Sequence, residues 1–308
     1  MNFTDNFNPK KNPKLIGCDA KFQFFKDLEV KKKMPKVLLL SGEKGIGKFT
    51  FVNHYMYFYF DNKNYDITNF TLSLDSLFHD QYVKDLFPNI YYLNCAISEN
   101  VKIEDIRKLK KDLSKTPILD KKRYIIIDDI DLLNINCSNA LLKILEEPGK
   151  QDFFILINNK SKPLLETIKS RCLEIKFILN NEERNKITHY IFDYFKQKII
   201  FDKNLVKTSP GNLLKINWFF SEKKINPNDN FIKNINILLN FYKKEKNIFY
   251  KDLLLFYIEY KLQKEKSENF IDEEIFIKKR WFLFKNLNDF FVFNLNQNSF
   301  LSSLKMYI

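Results

Sequence analysis

Gly42-Glu43-Lys44-Gly45-Ile46-Gly47-Lys48 is the stretch whose residue types and spacing best suit chemistry. Glycines at these intervals let backbone N–H groups curl around phosphate oxygens, and the closing lysine reaches the β- and γ-phosphates. The apolar run Val37–Leu40 precedes the loop and a helix-like stretch from Lys48 to about Tyr59 follows it. The helix N-terminus would add positive potential at the phosphates. The chain holds only 6 glycines and three of them fall here, which argues against a chance turn. One position departs from the chemistry. The residue after the lysine, where a hydroxyl would ligate Mg²⁺, is Phe49, and a phenyl ring offers no ligand. Thr50 lies one residue on, about 100° further around a helix, so it does not simply substitute. Gly42, Gly45, Gly47, Lys48 and Thr50 are therefore candidate nucleotide-binding residues, with metal-assisted hydrolysis expected to be poor.

A second constellation lies at Tyr124-Ile125-Ile126-Ile127-Asp128-Asp129-Ile130-Asp131, an apolar strand ending in acids. Asp128 is the natural candidate to hold Mg²⁺ through water. Asp129 follows it, a shorter carboxylate than the glutamate usual for polarising water. The bland alternative is an acidic turn that closes a core strand. Asn158-Asn159 end a further apolar run, Phe153–Ile157. Either is a candidate polar sensor of bound phosphate, or both form a solvated turn before Lys160-Ser161-Lys162.

These residues need elements to position them. Val37–Leu40 reads as a short buried strand, and Asn89–Leu93, Tyr124–Asp128, Phe153–Ile157 and Leu173–Phe177 as further strands. Helical patterns fall between them at Ile103–Leu113, Asn136–Leu145 and Leu164–Ser170. Strands alternating with helices imply a parallel sheet with crossovers. Asn62–Asp85 fits neither pattern and reads as an insertion. After about Ile178 only helical spacing remains, through Ile187–Phe195, Leu213–Phe220, Ile232–Tyr242, Leu253–Leu262 and Ile275–Phe293, with Pro210-Gly211 and Pro227 as punctuation. The expected organisation is an α/β domain over residues 1–178, a small helical domain over 179–220 and a second over 221–308.

Composition excludes several classes. With 308 residues, 45% hydrophobic and 29% charged, the chain is globular and long enough for more than one core. Cys18, Cys95, Cys137 and Cys172 show neither metal nor redox spacing, nor do His54, His79 and His189. No zinc or other metal site is expected, and reduced thiols suit a cytoplasmic setting. Met1–Lys14 lacks an apolar signal core, and no apolar run approaches the ~20 residues that span a bilayer. The net charge of +13 suits nucleic acid or an acidic protein surface. Lysine drift under a biased codon supply explains it equally well.

Asn139-Ala140-Leu141-Leu142-Lys143-Ile144-Leu145-Glu146-Glu147-Pro148 and Thr167-Ile168-Lys169-Ser170-Arg171-Cys172 together resemble the AAA+ clamp-loader subunits of bacterial DNA polymerase III. Pro88-Asn89-Ile90-Tyr91-Tyr92 and Ile106-Arg107 add to the likeness, which keeps order and spacing over about residues 36–178 and extends to Ser209-Pro210-Gly211. The last ninety or so residues carry no such motif. The resemblance implies an AAA+ RecA-like P-loop domain, a helical lid and an all-α collar. It implies partners: the motor (gamma/tau) and delta subunits, the sliding clamp, and primed DNA through the complex. It makes Arg171 a trans-acting arginine finger directed at the ATP of a neighbouring subunit. The competing reading of Arg171 is a structural pairing with Glu174 or Glu166.

Within that family the departures point to a delta-prime-like member. Phe49 replaces the metal hydroxyl, Asp129 stands where glutamate is expected, and Gly211 replaces the lid arginine of the motor's pattern. The cysteines of the motor's zinc module are absent from Phe60–Leu86. The implied role is a largely non-hydrolysing ring member that donates Arg171; it requires no cofactor, and ATP or ADP held without turnover remains compatible. The alternatives are an active motor-type ATPase using Lys48, Asp128 and Asp129, and a single-strand nucleic-acid binder. Trp281, Phe282, Phe284, Phe290, Phe291 and Phe293 suit either internal packing or a subunit interface.

Overall fold

The computed structural model describes residues 8–96, 101–205, 207–269 and 272–305. The chain divides into two compact units, Met1–Tyr190 with Ser209–Asn212, and Ile191–Thr208 with Leu213–Ile308.

The first unit is built on a five-stranded sheet of β1 (Val37–Ser41), β4 (Ile90–Asn94), β5 (Arg123–Asp128), β6 (Asp152–Asn158) and β7 (Leu173–Lys176). Its order is β4-β5-β6-β1-β7 and every pairing is parallel. Parallel strands need crossovers, and the crossovers cover both faces. The strands show it: Leu38 and Leu40 enter one apolar cluster, Val37 and Leu39 the other. In β5, Tyr124 and Ile126 go one way, Ile125 and Ile127 the other. This alternation is the two-residue period of a strand, here apolar on both sides.

One face is packed by α1 (Asp19–Val30) and α2 (Lys48–Phe60), which supply Phe22, Phe25, Phe51, Val52 and Tyr55. The other is packed by α4 (Ile103–Leu113) and α5 (Ile135–Glu146), with Ile106, Cys137, Leu141, Ile144 and Leu145. Between α2 and β4 lies the segment expected as an insertion. It forms a two-stranded hairpin, β2 (Tyr65–Asp66) and β3 (Thr71–Leu72), and the short α3 (Leu77–Val83). The α/β P-loop class expected from the sequence is the class found. The short α6 (Glu166–Lys169) lies between β6 and β7, and α7 (Asn181–Tyr194) follows the sheet.

The second unit is helical, as expected. It contains most of α8 (Pro210–Glu222), then α9 (Phe231–Glu245), α10 (Ile248–Asn269), α11 (Glu273–Val292) and α12 (Gln297–Lys305). Leu238, Leu239, Leu253, Leu254, Leu283 and Leu287 form its interior. Of the aromatic C-terminal stretch, Phe290 is buried and packs on Phe300 at 5.0 Å, and Phe291 packs on Tyr242 at 4.8 Å. Trp281 and Phe293 are exposed. Among the described residues no helix is long and apolar enough to cross a membrane.

At the N-terminal edge of the sheet Arg123 is buried and pairs with Asp152 at 2.7 Å. Its remaining donors meet the carbonyls of Asp112, Leu113 and Lys115, which end α4. Removing one partner of such a pair strands the other charge in the interior. Arg123→Ala should cost about 3–5 kcal/mol, measured by urea unfolding, and Asp152→Asn less, because the guanidinium keeps its three carbonyls.

Candidate functional site

The parallel sheet brings the ends of β1, β6 and β5 side by side, with Ser41 opposite Asn158 and Ile127 opposite Leu156. Open parallel sheets hold their ligands at this edge, where the strand order reverses. The loop after β1 starts with the Gly42 amide, which donates to the Asn158 carbonyl at 3.2 Å. Gly45 and Gly47 have φ of 80° and 99°, a region that disfavours any side chain, and Gly47 caps α2.

Lys48 is buried, and its ammonium donates to the carbonyls of Gly42 at 2.8 Å and Glu43 at 2.7 Å. Burial pushes its pKa down to about 8, against the pull of Asp128, Asp129 and Asp131. Asp128 moves the other way. Burial first, then the neighbouring Asp129, push it up to about 6. Asp129 is buried in the left-handed conformation, φ 53°, which aspartate tolerates better than most residues. Lys44 lies 3.9 Å from its carboxylate.

Of the two asparagines, Asn159 is the one whose side chain faces the acids. Its amide donates to Asp129 at 2.7 Å and Asp128 at 3.4 Å, so it spans the acid pair from the neighbouring strand. The Asn158 side chain instead accepts from the Lys160 amide within its own turn. Gly42, Gly45, Gly47, Lys48, Asp128 and Asp129 thus converge on one edge. Thr50 stands half-buried in the first turn of α2.

Two attachments were not visible in the motifs. The segment leading into α8 lies on the loop: Ser209 Oγ donates to the Lys44 carbonyl at 2.5 Å and the Gly211 amide to the Gly45 carbonyl at 3.1 Å. Arg184 of α7 pairs with Glu43 at 2.9 Å. No local pattern signals either, because each joins residues far apart in sequence.

A magnesium ion favours near-octahedral oxygen ligands, and the residues here do not fit one. Phe49 holds the sequence position of the hydroxyl and offers no oxygen; its ring lies 5.0 Å from the Tyr92 ring and is packed on the core. Asp128 and Asp129 are already bonded by the Asn159 side-chain amide. Among the described residues no three His, Cys, Asp or Glu side chains are grouped to hold a metal.

Arg171 lies apart from this cluster, two residues past the end of α6. Its side chain is 33% exposed and its guanidinium pairs with Glu146 at the end of α5. A further bond at 2.7 Å goes to the Thr167 carbonyl. The structural partners expected as alternatives are engaged elsewhere: Glu166 with Lys169, and Glu174 with the Ser41 hydroxyl. Beside it, burial pushes the Cys172 thiol up to about 11, so it is protonated near neutral pH.

The model of the family described as "DNA polymerase III, delta subunit" matches residues 18–180. The gamma subunit of DNA polymerase III from Buchnera aphidicola subsp. Schizaphis graminum is 31% identical over 144 residues, 44% of this chain and 40% of that protein. The delta' subunit from Bacillus subtilis is 38% identical over 78 residues, 25% of this chain and 24% of that protein. The matches therefore span less than half the length of either curated relative. A crystal structure of a DNA polymerase III gamma subunit-related protein from Thermotoga maritima aligns with a TM-score of 0.47 and 18% identity, over 93% of this chain and 98% of that one.

The raised Asp128 has a testable sign. A carboxyl whose folded pKa lies above its unfolded value costs no stability below the unfolded value, and the cost grows as pH rises through the folded one. Asp128→Asn should therefore gain stability over wild type, by on the order of 1 kcal/mol, above pH about 6. The gain should fade toward pH 4, the ordinary carboxyl range. Urea midpoints measured between pH 4 and 8 check it.

Proposed function

The chain belongs to the DNA polymerase III delta-subunit family, and from that premise we propose that it is a delta-prime-like member of the replicative clamp loader. In this reading it turns over little or no ATP itself and donates Arg171 to the ATP site of a neighbouring motor subunit. It works with gamma/tau and delta subunits to load the sliding clamp on primed DNA. The observation that carries the proposal is the contrast between two sites. The chain's own loop is closed on itself, with Lys48 on its carbonyls and Phe49 in place of a metal ligand. Arg171, in contrast, presents its guanidinium at the surface of its unit, held by an exposed glutamate that an incoming phosphate could displace.

The physical logic is that of charge supplied in trans. A guanidinium brought to a γ-phosphate stabilises charge that develops only in the transition state, and it makes turnover depend on assembly. Glu146 and the Thr167 carbonyl would keep Arg171 extended until that phosphate arrives. ATP or ADP held at Lys48 without turnover stays compatible with the role, since Lys48 remains charged at neutral pH with a pKa of about 8.

A second reading, an active motor-type ATPase, draws on the similarity to gamma subunits. The two separate cleanly. The isolated chain should show no measurable Mg²⁺-dependent ATPase, whereas turnover abolished by Lys48→Ala would establish the motor reading. In a loader reconstituted with gamma/tau and delta subunits, Arg171→Ala should lower DNA- and clamp-stimulated ATPase by about tenfold or more. An unchanged assembled rate removes the donor role.

A further inference from the structure

Asp131 is the middle residue of the short helical turn Ile130–Leu132 that follows the acid pair, and it is 4% exposed. A buried carboxylate must find donors, and those facing Asp131 come from one loop. Its Oδ1 accepts from the Asn159 backbone amide at 3.0 Å. Its Oδ2 accepts from the amides of Ser161 at 2.7 Å and Lys162 at 3.3 Å. Three backbone amides on one carboxylate fix the turn that leaves β6, and charge-assisted bonds of this kind are the stronger ones. The same turn aims the Asn159 side chain at Asp129 and Asp128. It then runs into Leu164, α6 and Arg171.

Leu164 and Ile168 are buried and hold the depth of that path. Apolar burial is non-directional. The orientation of the path therefore depends on directional bonds at its two ends: those that Asp131 accepts at its start, and the pairing of β7 with β1, Leu173 beside Leu38, just past Arg171. We propose that Asp131 is a positioning residue for Arg171: by clamping the turn after β6 to the acid end of β5, it sets the orientation in which the arginine is presented. The inference rests on the arginine-donor reading above. It joins the acids of the chain's own site to the arginine through the chain segment 159–171, held at its start by Asp131.

The test compares Asp131→Ala, Asp131→Asn, Arg171→Ala and the Asp131→Ala/Arg171→Ala double variant with wild type. In the isolated chain, Asp131→Ala should speed amide hydrogen exchange by roughly tenfold at residues 159–162 and also across 166–172. Faster exchange confined to 159–162 makes Asp131 a local cap and overturns the proposal. In the loader assembled with gamma/tau and delta subunits, Asp131→Ala should lower kcat for ATP roughly tenfold with KM unchanged. Asp131→Asn, which keeps one acceptor oxygen, should fall between. The double variant should be no slower than Arg171→Ala, because a residue that acts through the arginine adds nothing once it is gone. A normal kcat for Asp131→Ala beside a lowered one for Arg171→Ala overturns this inference alone. Normal rates for both remove the donor reading and this inference with it. Should Asp131→Ala fail to fold, Asp131→Asn carries the same comparisons.

Discussion

An ammonium group taken out of water must be given oxygens, and the site end of the first unit is arranged around that need. Lys48 is buried at the start of α2 and finds the carbonyls of Gly42 and Glu43. Three acids, Asp128, Asp129 and Asp131, lie within electrostatic reach from β5 and the turn after it. The loop therefore curls inward around its own lysine. Its next two carbonyls, on Lys44 and Gly45, are bonded by Ser209 and Gly211. A phosphate entering here would have to displace protein groups that already satisfy one another.

The sheet explains why these groups meet. Both faces are apolar, so polar and charged side chains are driven to the strand ends. β5 shows this in six residues, with Arg123 paired at its first position, Asp128 at its last and apolar residues between. Parallel register then sets the ends of β1, β6 and β5 in a row. Asn159, on the middle strand's exit, reaches the acids, while the glycine loop leaves the strand beside it. Phe49 closes the same edge with an aromatic wall shared with Tyr92.

Much of this was legible in the residues. Apolar runs marked all five strands of the sheet, most plainly β1, β5 and β6, because strands buried on both faces read as continuous hydrophobic stretches. The helical second half followed from its spacing. The hairpin Tyr65–Leu72 was not legible, since strands of two residues have no period to detect. The partner of Arg171 was sought among nearby acids, Glu166 and Glu174, yet it is Glu146 on another helix. Asn158 and Asn159 were indistinguishable by type; the bond pattern of the turn separates them. Trp281 lies on the solvent side of α11 while Phe290 of the same helix is buried, a matter of helix rotation that composition does not reveal.

The contact between Gly45 and Gly211 bears on which residues position 211 can hold. A Cβ built at 211 would stand 2.6 Å from the Gly45 carbonyl oxygen, well inside van der Waals contact. No side chain, and least of all a long basic one, enters that position while the two backbones touch. A substitution that placed a cation there would have to prise the segment from the loop and forfeit the bonds that hold it. The glycine thus acts as a steric lock: any larger residue at 211 must first part the two backbones.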